Sequence, residues 1–330
     1  MSTISTVAVT GGSGFVGRTI VQDLVAAGYQ VRVLTRNPEA ARRALPRSRV
    51  TVLAGDLLDS ARVTELLASA QACINLAGIL REVRRPGRMQ TFERVHVQGP
   101  RLLVERCRAM GIRRFVHMSA INVRDVACCA YQRTKWEGEL AVRGSDLDWT
   151  IFRPGLIHGP ASEFVRMIAT LASGHVAPYL FIPYFGREVE DTRVPLGAVT
   201  LADPMTQPID VRDVARAFVA SLTNPATVGE VYNLVGSEVL PMPDVLRHIR
   251  DHAPGTNHDL EPHAMPAGPA ACAAMAAEFI GVGSWLPFDE GMARMAAEDT
   301  TASHDKVRAD LGLEFRPFRA AFKEYAASLA

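Results

Sequence analysis

Tyr131 and Lys135 are the two residues whose types and spacing most clearly indicate chemistry in this sequence. They lie four positions apart, so on a helix they would share one face and bring a phenol next to an ammonium group. A positive charge of this kind lowers the pKa of a phenol toward neutral pH. A tyrosine tuned in this way can pass a proton to or from a substrate oxygen, so the pair predicts acid–base catalysis.

Three glycines, Gly11, Gly14 and Gly17, form a second pattern with a chemical meaning. A valine-rich segment precedes them and an apolar helical periodicity follows, which is the context of a strand–turn–helix unit. Such a turn lets backbone N–H groups and the positive end of the helix approach a pyrophosphate. Gly11 would allow the tight turn, Gly14 the approach of the phosphate, and Gly17 the packing of helix against strand. The residues expected to contact a dinucleotide here are Thr10, Gly11, Gly14, Phe15, Val16 and Gly17.

Strand-like and helix-like segments alternate along the first half of the chain, which predicts a parallel sheet covered by helices on both faces. The predicted strands lie near residues 6–10, 30–35, 50–54, 72–76, 114–118 and 148–152. We therefore predict an α/β fold, a Rossmann-type doubly wound parallel sheet with a smaller, mostly helical C-terminal lobe. Residues 1–157 would form the NAD(P)-binding domain and 158–330 the substrate lobe. About residues 208–236 would return to the Rossmann core, through a helix capped by Asp210 and Asp213 and a strand at 230–235.

Arg36 ends the second predicted strand, where the residue type selects between nicotinamide cofactors. An acidic residue there would bind the ribose 2′-hydroxyl of the adenosine, whereas an arginine matches a 2′-phosphate. Arg36, with Arg18 as a second candidate, therefore favours NADP(H) over NAD(H). The alternative is a charge that only faces solvent.

Charge and cysteine content argue against several classes of protein. A net charge of +1 gives no overall field toward nucleic acid or an anionic membrane. The five cysteines follow no metal-binding or disulfide spacing, so no metal is predicted, and the adjacent Cys128 and Cys129 receive no role. Neither a signal peptide nor an apolar run of membrane-spanning length is present in the sequence, so we expect a cytoplasmic protein, which could lie peripheral to a membrane complex.

Taken as a set, the motifs resemble the extended or atypical short-chain dehydrogenase/reductase superfamily, which includes NAD-dependent epimerase/dehydratase-like proteins. The resemblance narrows to the group related to the nucleotide-binding accessory subunit of respiratory complex I. It rests on the glycine turn and on segments 75–80, 92–99, 117–120, 131–139, 153–154 with 159–160, and 207–215.

This resemblance implies roles for individual residues. Tyr131 would be the general acid/base, Lys135 would also bind the nicotinamide ribose, and Asp56 would meet the adenine amino group. The other cofactor contacts that it implies are Leu57, Leu76, Ala77, Gly78, Met118 and Pro154.

Two positions depart from the family pattern. Ala120 stands where a catalytic serine is expected, and Ser119 comes one residue early, facing the other way if the strand continues. Ser119 stays a catalytic candidate if the loop twists. His96 replaces an asparagine and is either a proton relay or a histidine that packs against a helix.

The arginines between Arg81 and Arg88 would clamp an anionic substrate or lipid headgroup, or form a solvated face. His158 is interpreted as structural. The apolar segment 179–185 indicates a substrate with a hydrophobic part.

Two functions follow from these observations. The first is an oxidoreductase or epimerase/dehydratase that uses Tyr131 and Lys135 on a small, partly apolar substrate. The second is a redox-silent NADPH-binding accessory subunit or assembly factor of a respiratory complex, as the resemblance implies for the mitochondrial members. The sequence identifies neither the substrate nor the direction of hydride transfer. It also does not decide between a homodimer and docking to a complex.

Overall fold

The computed structural model describes residues 4–85, 88–191, 198–279 and 288–329. Its strands are β1 (Thr6–Thr10), β2 (Gln30–Thr35), β3 (Val50–Ala54), β4 (Ala72–Asn75), β5 (Val83–Arg85), β6 (Arg88–Gln90), β7 (Arg114–Met118), β8 (Asp148–Pro154), β9 (Ile157–His158), β10 (Ile182–Asp191), β11 (Ala198–Ala202), β12 (Met205–Thr206), β13 (Ile209–Asp210), β14 (Glu230–Leu234), β15 (Leu240–Pro241) and β16 (Pro262–Pro266). Its α-helices are α1 (Phe15–Ala26), α2 (Pro38–Ala44), α3 (Ser60–Leu67), α4 (Gly99–Ala109), α5 (Ala130–Arg143), α6 (Glu163–Ala172), α7 (Val211–Ser221), α8 (Met242–His252), α9 (Ala267–Phe279), α10 (Glu290–Ala296), α11 (Asp305–Leu311) and α12 (Phe318–Tyr325).

A seven-stranded sheet in the order β14-β8-β7-β4-β1-β2-β3 forms the centre of the molecule. All of its neighbouring strands pair in parallel. The strand order reverses between β1 and β4, which makes their carboxyl ends the topological switch point where ligands bind in such sheets. The Rossmann-type fold and the six strands predicted from the alternating pattern are confirmed.

Both faces of this sheet are buried, as parallel sheets require. Val7 and Val9 of β1 face one layer, built on α1 and α7, while Ala8 faces a second layer built on α3, α4 and α5. This alternation follows from the two-residue period of a strand. The apolar sequence of β1 therefore supplies contacts to both layers, from Val7 and Val9 on one face and from Ala8 on the other.

The remaining helices build a second lobe around a separate core. Helices α6, α8 and α12 pack together with Ile182 of β10. Strand β10 pairs antiparallel with β11 and parallel with β16, so this lobe contains a three-stranded sheet besides its helices. The predicted apolar segment 179–185 contributes a loop and the start of β10.

The chain returns to the central sheet through α7 and β14, and β14 pairs with β8. Asp210 caps α7, since its Oδ1 accepts a hydrogen bond from the Arg212 amide at 2.8 Å. The prediction that Asp213 also caps α7 is wrong. Its carboxylate instead accepts a hydrogen bond from the Arg316 amide at 2.8 Å. Asp213 thus ties α7 to the C-terminal segment. Within the described ranges, no helix combines the length and apolarity needed to cross a bilayer.

Candidate active site

A buried chain of hydrogen bonds marks the carboxyl ends of β1, β4 and β7. Thr10 Oγ1 donates to Asn75 Oδ1 at 2.6 Å. Asn75 Oδ1 also accepts from the Ala77 amide at 3.2 Å, so its Nδ2 is free to donate to His117 Nδ1 at 3.1 Å. These three side chains are at most 2% exposed. The network fixes the three strand ends relative to one another at the switch point.

The glycine turn between β1 and α1 is closely packed and bare of side chains. Gly11 has φ +71°, which glycine adopts without strain, and a Cβ built there would lie 2.7 Å from the Leu76 carbonyl carbon. A Cβ on Gly17 would lie 2.2 Å from the Gly11 oxygen. In the part of the chain that the structure describes, no side chain caps the start of α1 at Gly14. The free N–H groups of this helix end fit a pyrophosphate, as the glycine pattern predicts.

Arg36 follows β2 and Asp56 follows β3, and both are predicted to contact the adenosine half of the cofactor. Arg36 is exposed and, within the described part of the chain, forms no ion pair or hydrogen bond. Asp56 is exposed, and its Oδ1 accepts a hydrogen bond from the Leu58 amide at 2.9 Å. The other predicted cofactor contacts lie at or shortly after the carboxyl ends of strands, or in the first turn of α1. They are Phe15, Val16, Leu57, Leu76, Ala77, Gly78, Met118 and Pro154.

Lys135 lies on α5 and is only 4% exposed. Its Nζ donates to the Met118 carbonyl oxygen at the end of β7, at a distance of 2.6 Å. Burial lowers the pKa of Lys135 to about 8, although the Glu139 carboxylate opposes this shift. The ammonium group is therefore placed at the carboxyl edge of the sheet and still carries its charge at neutral pH.

Tyr131 lies in the first turn of the same helix. Its ring meets the His96 and Phe92 rings edge-on, with centroids 5.3 Å and 5.9 Å away. Burial, with a smaller contribution from the negative charge of Cys129, raises the pKa of Tyr131 to about 12. The sequence predicts a lowered pKa for Tyr131, and this prediction is wrong. The spacing of Tyr131 and Lys135 on one helix face gives no information on the Phe92 and His96 rings that enclose the phenol. At neutral pH the phenol keeps its proton and is a hydrogen-bond donor.

His96 lies in a π-helical turn, Glu93–Gln98, immediately before α4. Its Nε2 accepts a hydrogen bond from the Ile79 amide at 3.1 Å, so we assign the proton to Nδ1, which lies 3.1 Å from Thr134 Oγ1. Burial and the Lys135 charge lower the pKa of His96 to about 2. Both ring nitrogens are engaged and the ring stays neutral, which favours packing over the proton-relay alternative.

Gly138 explains how α5 approaches this π-helical turn. A Cβ built on Gly138 would lie 1.9 Å from the His96 carbonyl oxygen. Only glycine therefore allows α5 to pack at its present depth, where Lys135 reaches the end of β7 and Tyr131 contacts the His96 ring.

Ser119 follows β7 and is 2% exposed, whereas Ala120 is partly exposed. The Ser119 amide donates to the Phe152 carbonyl at 2.7 Å, which continues the strand pairing, so successive side chains still alternate. Within the described residues, Ser119 Oγ and His117 Nε2 are buried without a hydrogen-bond partner. Sequence reasoning missed His117, although its position two residues before Ser119 places it on the same strand face.

His158 and the Arg81–Arg88 segment lie outside this constellation. His158 is 1% exposed and its Nδ1 lies 3.1 Å from the Tyr325 hydroxyl, which favours a structural role. Arg84 pairs with Glu82 at 2.7 Å on the hairpin of β5 and β6. Residues 86 and 87 and the side chains of Arg85 and Arg88 lie outside the described part of the structure.

Comparisons with known proteins identify relatives of this chain. A ceramide reductase from Caulobacter vibrioides is 33% identical over 175 residues, which cover 53% of each chain. Subunit 9 of the NADH dehydrogenase [ubiquinone] 1 alpha subcomplex from Mus musculus is 27% identical over 263 residues, covering 78% of this chain and 63% of that protein. The matches thus span only about half to two thirds of these relatives.

Solved structures and a family profile extend the comparison. The UDP-glucose 4-epimerase of Thermotoga maritima superposes with a TM-score of 0.68 at 18% identity, covering 96% of both chains, which shows a shared fold. Residues 7–235 match the profile of the NAD dependent epimerase/dehydratase family. This match contains the glycine turn, Tyr131 and Lys135, and the fold is one that binds a nicotinamide dinucleotide. The chain therefore belongs to the NAD-dependent epimerase/dehydratase family.

Proposed function

We propose that this protein is an NADP(H)-dependent oxidoreductase that reduces a carbonyl group on a substrate with an apolar part. The observation that carries the proposal is the position of a protonated phenol and a buried ammonium on one face of α5, at the edge where the glycine turn would hold the cofactor. When bound, the nicotinamide cofactor supplies the hydride for such a reduction.

Tyr131 is the proton donor in this proposal. Because its pKa is about 12, the hydroxyl carries a proton that it can give to a carbonyl oxygen as that oxygen gains negative charge. The reverse reaction needs the phenolate, which the apolar enclosure disfavours. Lys135 would bind the nicotinamide ribose and compensate the charge left on Tyr131, one helical turn away.

Arg36 supports NADP(H) as the cofactor. Its guanidinium is exposed at the end of β2 and forms no ion pair within the described residues, so it is available for a 2′-phosphate. Arg18 is a weaker candidate because its Nε already donates to the Gly14 carbonyl at 3.4 Å.

Exposed apolar side chains support a partly apolar substrate. Tyr179 is 59% exposed and Leu180 is 81% exposed on a loop of the second lobe, and Val126 is 87% exposed on the loop that follows β7. The relative named a ceramide reductase makes long-chain carbonyl compounds a reasonable first panel.

The first experiment compares binding of NADPH and NADH to the wild type, Arg36→Ala and Arg43→Ala. Arg43 is an exposed arginine on α2 that provides the matched control. We expect Arg36→Ala to weaken NADPH binding by about tenfold, the order of one lost charge-assisted contact, and to leave NADH binding unchanged. Equal losses for both cofactors, or the same loss in Arg43→Ala, would contradict the assignment.

A second experiment tests turnover with a panel of long-chain ketones. Tyr131→Phe removes the proton donor but keeps the ring, so it should lower turnover by about 100-fold or more with NADPH affinity nearly unchanged. Turnover at the wild-type rate in Tyr131→Phe would refute the role of Tyr131.

A redox-silent nucleotide-binding subunit is the second candidate function. Ala120 at the expected serine position favours it, as does the similarity to a subunit of NADH dehydrogenase. The dissociation rate of bound NADPH separates the two, measured by chasing its fluorescence with excess NADP⁺. Exchange within seconds supports turnover, whereas retention for hours supports a structural nucleotide.

A further inference from the structure

A short acidic segment after α10, residues 298–300, contacts parts of the chain that are far apart in sequence. Asn122, in the loop between β7 and α5, donates from its Nδ2 to the Asp299 carbonyl oxygen at 2.8 Å. The Asp299 carboxylate pairs with Arg187 of β10 at 3.1 Å and accepts a hydrogen bond from the Met205 amide of β12 at 2.8 Å. The segment therefore joins the loop that follows β7 to strands β10 and β12.

Glu298 extends this connection to the helix that carries Tyr131. Its Oε2 accepts a hydrogen bond from Gln132 Nε2 at 2.6 Å. Gln132 directly follows Tyr131 in α5 and is only 1% exposed. The Gln132 Oε1 atom accepts hydrogen bonds from the amide and the thiol of Cys128, both at 3.3 Å. Gln132 thus ties the first turn of α5 both to the preceding loop and to Glu298.

The start of α5 depends on such contacts from outside the helix. Among the described residues, no side chain caps the helix at Cys129. Helix α10 packs against this point, since a Cβ built on Gly291 would lie 3.3 Å from Cys129 Cβ. Packing limits how closely two elements approach, whereas a hydrogen bond also fixes direction. The bond from Gln132 to Glu298 therefore sets how the first turn of α5 is oriented toward the segment 298–300.

Glu298 also forms an ion pair with Arg124, but this pair is the weaker of its two contacts. The Arg124 side chain is 46% exposed, and water screens the attraction between such charges. Loss of the Glu298 carboxylate would instead leave the buried N–H groups of Gln132 without this acceptor, which costs more than the loss of an exposed ion pair.

We propose that Glu298 is a positioning residue for Tyr131, acting through Gln132. It holds the first turn of α5, and with it the tyrosine, in place relative to β10 and β12. The effect on turnover rests on the proposed reduction. The effect on α5 is measured without any substrate, so the two can fail separately.

Hydrogen exchange of the full-length protein, followed by mass spectrometry, tests the effect on the helix. Glu298→Ala should speed exchange in peptides covering residues 128–136 about tenfold, because the start of α5 opens more often. Glu298→Gln keeps an oxygen that accepts from Gln132 and should restore exchange to near the wild-type rate. Arg124→Ala removes only the ion pair and should resemble wild type. Glu290→Ala, at a 41% exposed glutamate that pairs with Arg294 on α10, is the matched control.

Steady-state kinetics with NADPH and the long-chain ketone panel test the effect on Tyr131. Glu298→Ala should lower kcat about tenfold while the Kd for NADPH stays within about twofold of the wild-type value. Glu298→Gln should recover most of the lost kcat. A loss confined to kcat, with rescue by glutamine, distinguishes positioning from general damage to the fold, and circular dichroism of each variant checks that the fold is retained.

Three results would overturn the proposal. The first is wild-type exchange at residues 128–136 in Glu298→Ala. The second is equally fast exchange in Arg124→Ala, or no recovery in Glu298→Gln, since either would mean that the bond to Gln132 is not the link. The third is wild-type kcat in Glu298→Ala despite faster exchange. A wild-type protein that reduces none of the ketones contradicts the proposed function instead, and the exchange rates then decide whether Glu298 holds the start of α5.

Discussion

Replacing Lys135 by methionine should stabilise the protein in the absence of cofactor. Burial lowers the pKa of Lys135 from 10.5 to about 8, so the folded protein binds this proton more weakly than the unfolded chain does. At about 1.36 kcal/mol per pH unit, the difference corresponds to about 3 kcal/mol. This cost is complete below pH 8 and disappears above pH 10.5, because the free energy of unfolding rises with pH between the two values.

Urea denaturation at pH 7 and pH 10 measures this effect. Lys135→Met should exceed the wild type in free energy of unfolding by about 2 to 3 kcal/mol at pH 7, and most of this advantage should disappear at pH 10. Lys323→Met, at an exposed lysine on α12, is the matched control and should follow the wild type at both pH values. Parallel pH profiles for Lys135→Met and wild type, or a less stable variant at pH 7, would refute the reasoning. The second result would mean that the hydrogen bond to Met118 outweighs the cost of burying the charge.

Two further predictions concern the packing of α5. Gly138→Ala should lower the free energy of unfolding by about 3 kcal/mol, because the new methyl group would overlap the His96 carbonyl. Gly144→Ala at the end of the same helix, where the nearest atom is 3.2 Å away, should cost less, and equal losses in urea denaturation would contradict the packing argument. Nitrogen-15 NMR should show His96 as the neutral Nδ1–H tautomer from pH 5 to pH 8, and a titration within that range would restore the proton-relay role.

Local patterns were enough to predict the central sheet and the glycine turn. Val7 and Val9 alternate as in a strand, and glycines follow them at the turn. Both patterns indicate local backbone conformation, which depends mainly on residues that are close in sequence. Gly11 and Gly17 indeed lie where a side chain would strike backbone atoms. The strand positions were predictable for the same reason.

The protonation states of the site were not predictable from spacing. The pKa of Tyr131 depends on rings contributed by Phe92 and His96, which lie more than thirty residues away in sequence. The π-helical turn that presents His96 lies against Gly138 and has no recognisable sequence period.

The position of β14 has a consequence for how this chain folds as it is synthesised. β8 ends at Pro154, but the strand that covers its outer edge begins at Glu230, after α6, β10, β11 and α7 have been made. Until then β8 is a bare edge strand, and Phe152 lacks the aromatic partners Phe218 and Tyr232. A nascent chain stopped near residue 157 would therefore expose an aggregation-prone edge. The first half of the sequence is a poor candidate for an autonomous fragment, and its sheet is completed only by a long-range closure late in folding.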